Sequence, residues 1–372
     1  MSKKIKVLQV LGDPVGGIRK HVHDIITNLN KDFDFYYVSS NNVDLSFSDE
    51  IKRIDLVINS RKQLNISKEP SISDLKNLFI VYYFVKRNKI GVIHGHGAKG
   101  GLYARIVGLL CGCKVIYTPH GGAAHDMFTP FKDKIYKSVE KLLYYPTNVF
   151  LFESHYTKKS FLNRIGRKGT VKSVVNFNGI DLSSYLPVQY SSNSPIVCIG
   201  FFGMLRKEKG VLFSLDVIAR LIEFNKNIRY HVYGAGQLMS QVQVKINDLK
   251  IEDFVTLHGE TETPYIHMQK MDIVFMPSMF ESFGYVAVES MIFEKSLVFS
   301  SAGALPDTCE FNREYMFESG SVDDAVEKLA LAIDTFDTEE SRKRLKVVAK
   351  MASSKYSIGG MTNTIRNIYE NI

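Results

Sequence analysis

The sequence lacks any apolar run long enough to cross a bilayer. A membrane-spanning helix needs about 18 or more consecutive apolar residues, whereas the longest run here, Phe79 to Val85, ends at Lys86 and Arg87. The basic N-terminus leads into a strand-like segment, Val7 to Leu11, which is too short for the core of a signal peptide and is followed by no small-residue cleavage site. We therefore expect a cytoplasmic protein.

Cysteine is also scarce, with four residues in a chain of 372. Cys111 and Cys113 are separated by one residue, and Cys198 and Cys309 stand alone, so the chain has neither a CxxC pair nor the ligand spacing of a zinc site. We expect reduced thiols, no disulfide framework and no metal.

Charge is distributed unevenly between the two halves. Residues 1–187 contain 28 Lys and Arg against 15 Asp and Glu, a net charge of +13, whereas residues 188–372 contain 19 against 24, a net charge of −5. A basic half indicates an anionic partner: a membrane surface, a phosphate-bearing acceptor or nucleic acid. Because the sequence contains no recognisable nucleic-acid-binding motif, nucleic acid is not expected.

Strand-like and helix-like segments alternate along the whole chain, which predicts parallel sheets with helices on both faces. The polar stretch from Pro187 to Pro195 is bracketed by prolines and is typical of a linker. The predicted fold class is therefore α/β, with two Rossmann-like doubly wound domains (1–187 and 188–372) facing a cleft. The final helix, about 357–372, is a candidate to cross back to the first domain.

The segment Pro277 to Glu289 contains the most informative pattern, two glutamates, Glu281 and Glu289, separated by seven residues. Glu281 follows an apolar strand, and Gly284 is positioned to open a helix whose free N–H groups and positive dipole end suit a diphosphate. Spacing alone leaves open whether the glutamates bind a ligand or are solvated and capping residues.

The pattern resembles the donor signature of retaining glycosyltransferases of family 4, which have the GT-B fold. Further segments occur in that family's order: Gly16-Gly17, Thr118 to Gly121, Asn178 to Asp181, Gly203 to Gly210, Tyr233 to Gly236 and Val255 to Gly259. The resemblance implies retention, no cofactor or obligate metal, and a nucleoside-diphosphate-sugar as donor.

The resemblance also assigns site residues. It implies Glu281, His120 and Lys209 as catalytic residues, with Lys209 stabilising the leaving diphosphate. It implies donor binding by Gly17, Arg206, Lys209, Phe283, Gly284, Tyr285 and Glu289, with Glu289 on the ribose. For His120 a purely structural histidine, and for Lys209 a solvated lysine, remain the alternatives.

The sequence departs from the family pattern at one position. Met204 stands where the family usually has Arg after the first glycine of the phosphate segment, while Lys209 is retained. Arg206 is the candidate to supply the charge from two residues further on. An uncompensated loss would cost about 1–3 kcal/mol of donor binding.

A basic amphipathic helix from Lys132 to Leu143 interleaves lysines with apolar side chains. Such a helix is typical of a membrane surface contact, although a core-facing helix with solvated lysines fits equally well. With the +13 charge of the first half, it favours a weak peripheral membrane contact at the inner face of the cell membrane and a lipid-linked anionic acceptor.

We expect a hexosyltransferase that moves a sugar from a nucleoside-diphosphate-sugar to an acceptor hydroxyl, in bacterial polysaccharide, capsule or glycolipid assembly. A nicotinamide-dependent oxidoreductase is the rival enzyme class, but Asp13 and Pro14 break the GxGxxG spacing in the first loop. The other alternative is a non-catalytic sugar-nucleotide-binding protein with a degenerate phosphate site, suggested by Met204.

Overall fold

A computed structural model of the chain describes residues 4–41, 47–67, 69–121, 130–166, 171–185 and 195–372. The chain divides into two compact units: unit 1, Met1–Gly179 with Ile358–Ile372, and unit 2, Ile180–Ser357. Of the predicted linker, Pro187 to Pro195, the structure describes only Pro195, so the predicted domain boundary at 187/188 lies outside the described residues.

Unit 1 contains a seven-stranded sheet in which every paired strand is parallel to its neighbours. Its strands are β1 (Lys6–Leu11), β2 (Asp34–Ser40), β3 (Ser60–Leu64), β4 (Val92–His96), β5 (Lys114–Thr118), β6 (Val149–Phe152) and β7 (Lys172–Val175). The strand order β3-β2-β1-β4-β5-β6-β7 reverses direction between β1 and β4. In such sheets ligands bind at the carboxyl ends of the strands beside this reversal.

The helices of unit 1 cover the two faces of this sheet. They are α1 (Gly16–Leu29), α2 (Phe47–Asp55), α3 (Ser73–Asn88), α4 (Gly97–Cys111), α5 (Pro130–Leu142) and α6 (His155–Ile165). One core lies between α1 and the sheet and includes Val22, Ile26 and Phe35. Another lies under α3 and α4 and includes Val81 and Val107.

Unit 2 repeats the architecture with a parallel sheet in the order β10-β9-β8-β11-β12-β13, which reverses between β8 and β11. Its strands are β8 (Val197–Phe202), β9 (Ile228–Tyr233), β10 (Val255–Gly259), β11 (Ile273–Met276), β12 (Ser296–Ser300) and β13 (Met316–Phe317). Its helices are α7 (Val211–Ile222), α8 (Met239–Leu249), α9 (Pro264–Gln269), α10 (Tyr285–Ile292), α11 (Leu305–Thr308), α12 (Val322–Thr335) and α13 (Glu339–Lys355).

The last helix, α14 (Ile358–Glu370), belongs to unit 1. Its apolar side chains Met361, Ile365 and Tyr369 are buried in the core that contains α1. The chain thus ends in the unit in which it began. The sequence had marked a final helix at about 357–372 as the candidate for this return.

The predicted alternation of strands and helices is confirmed, but several elements were missed. No pattern in the sequence predicted α2, β3, α9, α11 or β13. β3 is the edge strand of its sheet, and because its residues Arg61, Lys62 and Gln63 face solvent or lie only half-buried, it has no apolar run. β13 has only two residues, too few to show periodicity.

The structure also bears on membrane spanning and on the state of the cysteines. Among the described helices, none combines the length and apolar character that crossing a bilayer requires. All four cysteines are free, and burial raises the pKa of each thiol, in the case of Cys113 to about 11.

Candidate functional site

In unit 2, three loops meet at the carboxyl edge of the sheet, where the strand order reverses. They follow β8, β9 and β11, and backbone hydrogen bonds join them. Leu205 N donates to Ala235 O at 2.9 Å, and Met279 N donates to Glu208 O at 2.8 Å. The phosphate segment and the two-glutamate segment are therefore held side by side, although about seventy residues separate them in the chain.

Gly210 allows one of these close approaches. Its φ is +71°, and a Cβ built on it would lie 1.9 Å from the carbonyl oxygen of Pro277. Because no side chain fits in that space, the loop that contains Lys209 can reach the end of β11 only with glycine at this position.

Lys209 and Glu281 form the charged centre of this edge. Lys209 Nζ lies 2.6 Å from Oε1 of Glu281, and the Ser278 hydroxyl donates to the same oxygen at 2.9 Å. Glu281 is buried, and its backbone carbonyl accepts from Ala304 N at 2.9 Å. The pair presents a fixed carboxylate and, beside it, an ammonium group that is still partly exposed.

The N-terminus of α10 lies in the same loop system. Gly284 is its N-cap residue, in a left-handed conformation with φ +93°, and no side chain caps the helix. First-turn N–H groups have no acceptor within a helix and, with the dipole, attract anions. Phe283 is buried against Tyr356 and against the half-buried Tyr285, with centroid distances of 5.6 and 5.2 Å, so its ring shapes the start of α10.

Glu289 lies on α10 and has a partner that the sequence did not indicate. The hydroxyl of Tyr185 donates to its Oε1 at 2.7 Å, and the Tyr185 ring packs edge-to-face on Tyr265 and Phe293. Tyr185 precedes β8 in the chain, so only the folded structure brings it to α10. No local motif could have identified it.

Arg206 is half-buried at the start of a short 3-10 turn, Lys207–Lys209. Within the described part of the chain, no carboxylate forms an ion pair with it. Its predicted role in place of the missing family arginine remains a prediction, as do the other site assignments.

Unit 1 has a second cluster at the carboxyl edge of its own sheet. His120 follows β5 in a left-handed conformation, with φ +49°. Its Nδ1 lies 2.9 Å from Oε2 of Glu153, which follows β6, and its Nε2 lies 3.0 Å from Nδ1 of His96. Glu153 also accepts from the amide of Asn178, which follows β7, at 3.1 Å. Gly17 lies in the first turn of α1, after β1.

A chain of hydrogen bonds determines the protonation within this cluster. The Gln9 amide donates to Tyr369 at 2.8 Å, so its Oε1 accepts from Nε2 of His96, also at 2.8 Å. His96 Nδ1 is then an acceptor, and His120 Nε2 must donate to it. Nδ1 of His120 faces the Glu153 carboxylate, so both ring nitrogens of His120 have partners within the cluster.

The remaining histidines of the cluster are held neutral. Burial lowers the pKa of His21 from 6.5 to about 3, and the neighbouring His120 lowers it further, while burial holds the pKa values of His94 and His96 well below 6.5. His94 bridges Tyr369 and Thr118 at 2.8 and 2.9 Å. Neither ring nitrogen of His21 makes a hydrogen bond of good geometry with the described residues.

Three of these rings form the one group of potential metal ligands among the described residues. One ligand atom each of His21, His96 and His120 lies within 4.8 Å of the others. The His96–His120 hydrogen bond occupies two of the three nitrogens, so an ion would have to replace the shared proton. The expectation that the protein needs no metal remains a prediction.

The sequence indicated His120 but missed several other members of its cluster, namely Gln9, His21, Glu153 and Tyr369. Glu153 has a simple signal, since it directly follows the apolar strand β6 at the edge where ligands bind. Tyr369 has none, because α14 reaches this sheet only through the tertiary fold.

Solved structures that match this chain over both units have the GT-B fold, which is the class of two-domain sugar transferases. HepE from Anabaena, in complex with UDP-glucose, matches with a TM-score of 0.79 and 17% identity, covering 99% of this chain and 100% of HepE. The family model for group 1 glycosyl transferases matches residues 189–350, and the model for Glycosyltransferase Family 4 matches residues 15–184. The chain belongs to the group 1 glycosyltransferases of family 4.

Two bacterial relatives indicate the setting of this activity. An uncharacterised 41.2 kDa protein in the cps region of Klebsiella pneumoniae is 26% identical over 315 residues, covering 81% of this chain and 84% of the relative. A UDP-Gal:alpha-D-GlcNAc-diphosphoundecaprenol alpha-1,3-galactosyltransferase of Escherichia coli is 21% identical, covering 80% of each chain. The protein is thus a hexosyl-type glycosyltransferase of the bacterial polysaccharide or glycolipid class.

Proposed function

We propose that this chain transfers a hexosyl group, with retention of anomeric configuration and without a metal, from a nucleoside-diphosphate-sugar to a hydroxyl of a lipid-linked anionic acceptor. The contact between Lys209 and Glu281, beside the N-terminus of α10, carries the proposal. It combines a cation, a helix dipole and a sugar-binding carboxylate at one sheet edge. HepE has been solved with UDP-glucose, and the name of the Escherichia coli relative specifies UDP-Gal, so UDP-sugars are the first donors to test.

In the proposed reaction the bond between the anomeric carbon and the diphosphate oxygen breaks, and a bond to the acceptor oxygen forms on the same face. The acceptor proton passes to the leaving diphosphate. Lys209 and the start of α10 neutralise the charge that develops on the diphosphate, Glu281 accepts from sugar hydroxyls, and Glu289 accepts from the ribose. We assign the acceptor to unit 1, where His120 and Glu153 lie at the carboxyl edge of the sheet.

The experiment is a panel of nucleoside-diphosphate sugars, assayed for binding and for slow release of nucleoside diphosphate. Glu289→Ala and Lys209→Ala should lose both. Lys207→Ala, which removes an exposed lysine from the same short turn, is the matched control and should behave as wild type. Chelator treatment of the wild type should leave release unchanged, and the anomeric configuration of the product, read by NMR, tests retention.

A non-catalytic sugar-nucleotide-binding protein is the second candidate, because Met204 replaces the family arginine. This alternative predicts saturable donor binding without release of nucleoside diphosphate and without sugar transfer to any acceptor. Arg206→Ala tests the compensation directly, since unchanged donor affinity in that variant would exclude Arg206 as the replacement.

A further inference from the structure

Helix α3 in unit 1 carries apolar side chains on the face that points away from its own core. Val81 and Val85 are buried under the helix. On the opposite side, Leu75, Phe79 and Tyr83 repeat at every fourth position and are 71%, 64% and 63% exposed. We call these three residues the α3 stripe. Single exposed apolar residues are ordinary on protein surfaces, but an aligned row on one helix face indicates an interaction site.

The neighbouring helix α4, which packs against α3, also carries an exposed apolar side chain. Asp74 and Lys99, 2.5 Å apart, join the first turns of α3 and α4. At the other end, burial raises the pKa of the Cys111 thiol and the nearby Lys86 opposes this rise, so the ends of the two helices lie near each other. The exposed Leu109 of α4 lies in this last turn.

Basic side chains flank the stripe. Lys76, Lys86 and Arg87 on α3 are all exposed. Within α3, three basic residues stand against one acidic residue, Asp74, whose carboxylate is paired with Lys99. Exposed apolar and aromatic rows bordered by cations are the composition with which proteins bind the headgroup region of anionic membranes. A protein partner for an apolar row would not require this excess of one charge.

We propose that the α3 stripe docks unit 1 on an anionic membrane surface, with Leu75, Phe79 and Tyr83 entering the headgroup region and Lys76 and Arg87 contacting lipid phosphates. The inference goes beyond the proposed sugar transfer and does not depend on it. The sequence had placed a membrane contact on the helix from Lys132 to Leu143, and that contact remains a prediction.

The test is co-sedimentation of the full chain with phosphatidylcholine vesicles with and without phosphatidylglycerol, in the absence of any donor or acceptor. The wild type should bind the anionic vesicles, bind the neutral ones weakly, and dissociate as salt is raised. The double variant Leu75→Ser/Phe79→Ser should bind the anionic vesicles at least about tenfold more weakly, and so should Lys76→Glu/Arg87→Glu.

The matched control is Phe224→Ser, which removes an equally exposed aromatic ring from unit 2 and should leave vesicle binding unchanged. Since all five positions are exposed, circular dichroism of each variant should match the wild type. The proposal is overturned if the wild type does not bind anionic vesicles or if the serine variant binds like the wild type. It is also overturned if the stripe instead mediates self-association, seen as a lipid-free dimer that the serine variant abolishes.

Discussion

The hydroxyl of Tyr185 donates a 2.7 Å hydrogen bond to Oε1 of Glu289, across 104 positions of sequence. The contact orients the carboxylate that we assign to the ribose of the donor. Tyr185→Phe removes this bond and keeps the ring, so KM for the donor should rise about fivefold, the equivalent of about 1 kcal/mol, while kcat stays within about twofold.

Steady-state kinetics with varied donor measure this effect. Tyr265→Phe is the control, because it removes a hydroxyl from the ring that packs on Tyr185 without touching the carboxylate. A lower KM in Tyr185→Phe would mean that the hydroxyl competes with the donor instead of orienting Glu289.

Gly210→Ala should damage donor binding through the backbone. A Cβ at this position meets the carbonyl of Pro277 at 1.9 Å, so the loop with Lys209 must move away from Glu281. Gly259→Ala is the matched control. Its φ of +74° is equally unfavourable for alanine, but no atom lies within 4 Å of the added Cβ.

Both glycine variants should lose about 1–2 kcal/mol from left-handed strain. Only Gly210→Ala should show a further loss of thermal stability together with loss of donor binding, measured by calorimetry. Equal behaviour of the two variants would contradict the role of the close approach.

Glu153→Gln should lower kcat at least about tenfold with little change in donor KM, because His120 loses the carboxylate that orients its ring. Glu50→Gln is the control, because it removes the glutamate of another histidine–glutamate pair in unit 1. Glu50 lies 3.1 Å from His23, and its loss should leave kcat unchanged. An active Glu153→Gln enzyme would make His120 a structural residue.

Unit 1 should lose stability in acid through its buried histidines. The folded-state pKa of His21 is about 3 against 6.5 for an ordinary histidine, so below pH 6.5 the unfolded chain binds a proton that the folded chain does not. The contribution of His21 to the free energy of unfolding is therefore fully present above pH 6.5 and decreases as the pH is lowered. At pH 5 the loss from His21 alone is about 2 kcal/mol.

Chemical unfolding followed by circular dichroism at pH 7 and pH 5 measures this loss. In His21→Gln the difference between the two pH values should shrink by about 2 kcal/mol. His155→Gln changes an exposed histidine and should leave the difference as in the wild type. An unchanged difference in His21→Gln would show that His21 titrates normally.

The sequence by itself determined the class of the protein. Alternating apolar strands and amphipathic helices allow only parallel, doubly wound sheets. The glycine turns and the pair Glu281 and Glu289 occur in the order of one family. The sequence can show this because strand ends and helix starts are local features that a few residues specify. β3 escaped prediction since an edge strand buries little and needs no apolar run.

Only the tertiary structure decided which side chains meet. Tyr185 reaches Glu289, Glu153 and Gln9 enclose the histidines, and Tyr369 of the last helix completes their hydrogen-bond chain, although most of these partners are far apart in sequence. The strand order determines these contacts, because residues that follow neighbouring parallel strands converge at one edge wherever they lie in the chain. The exposure of the α3 stripe likewise depends on the tertiary structure. The apolar run Phe79 to Val85 does not show by itself which of its side chains are covered by the rest of the protein.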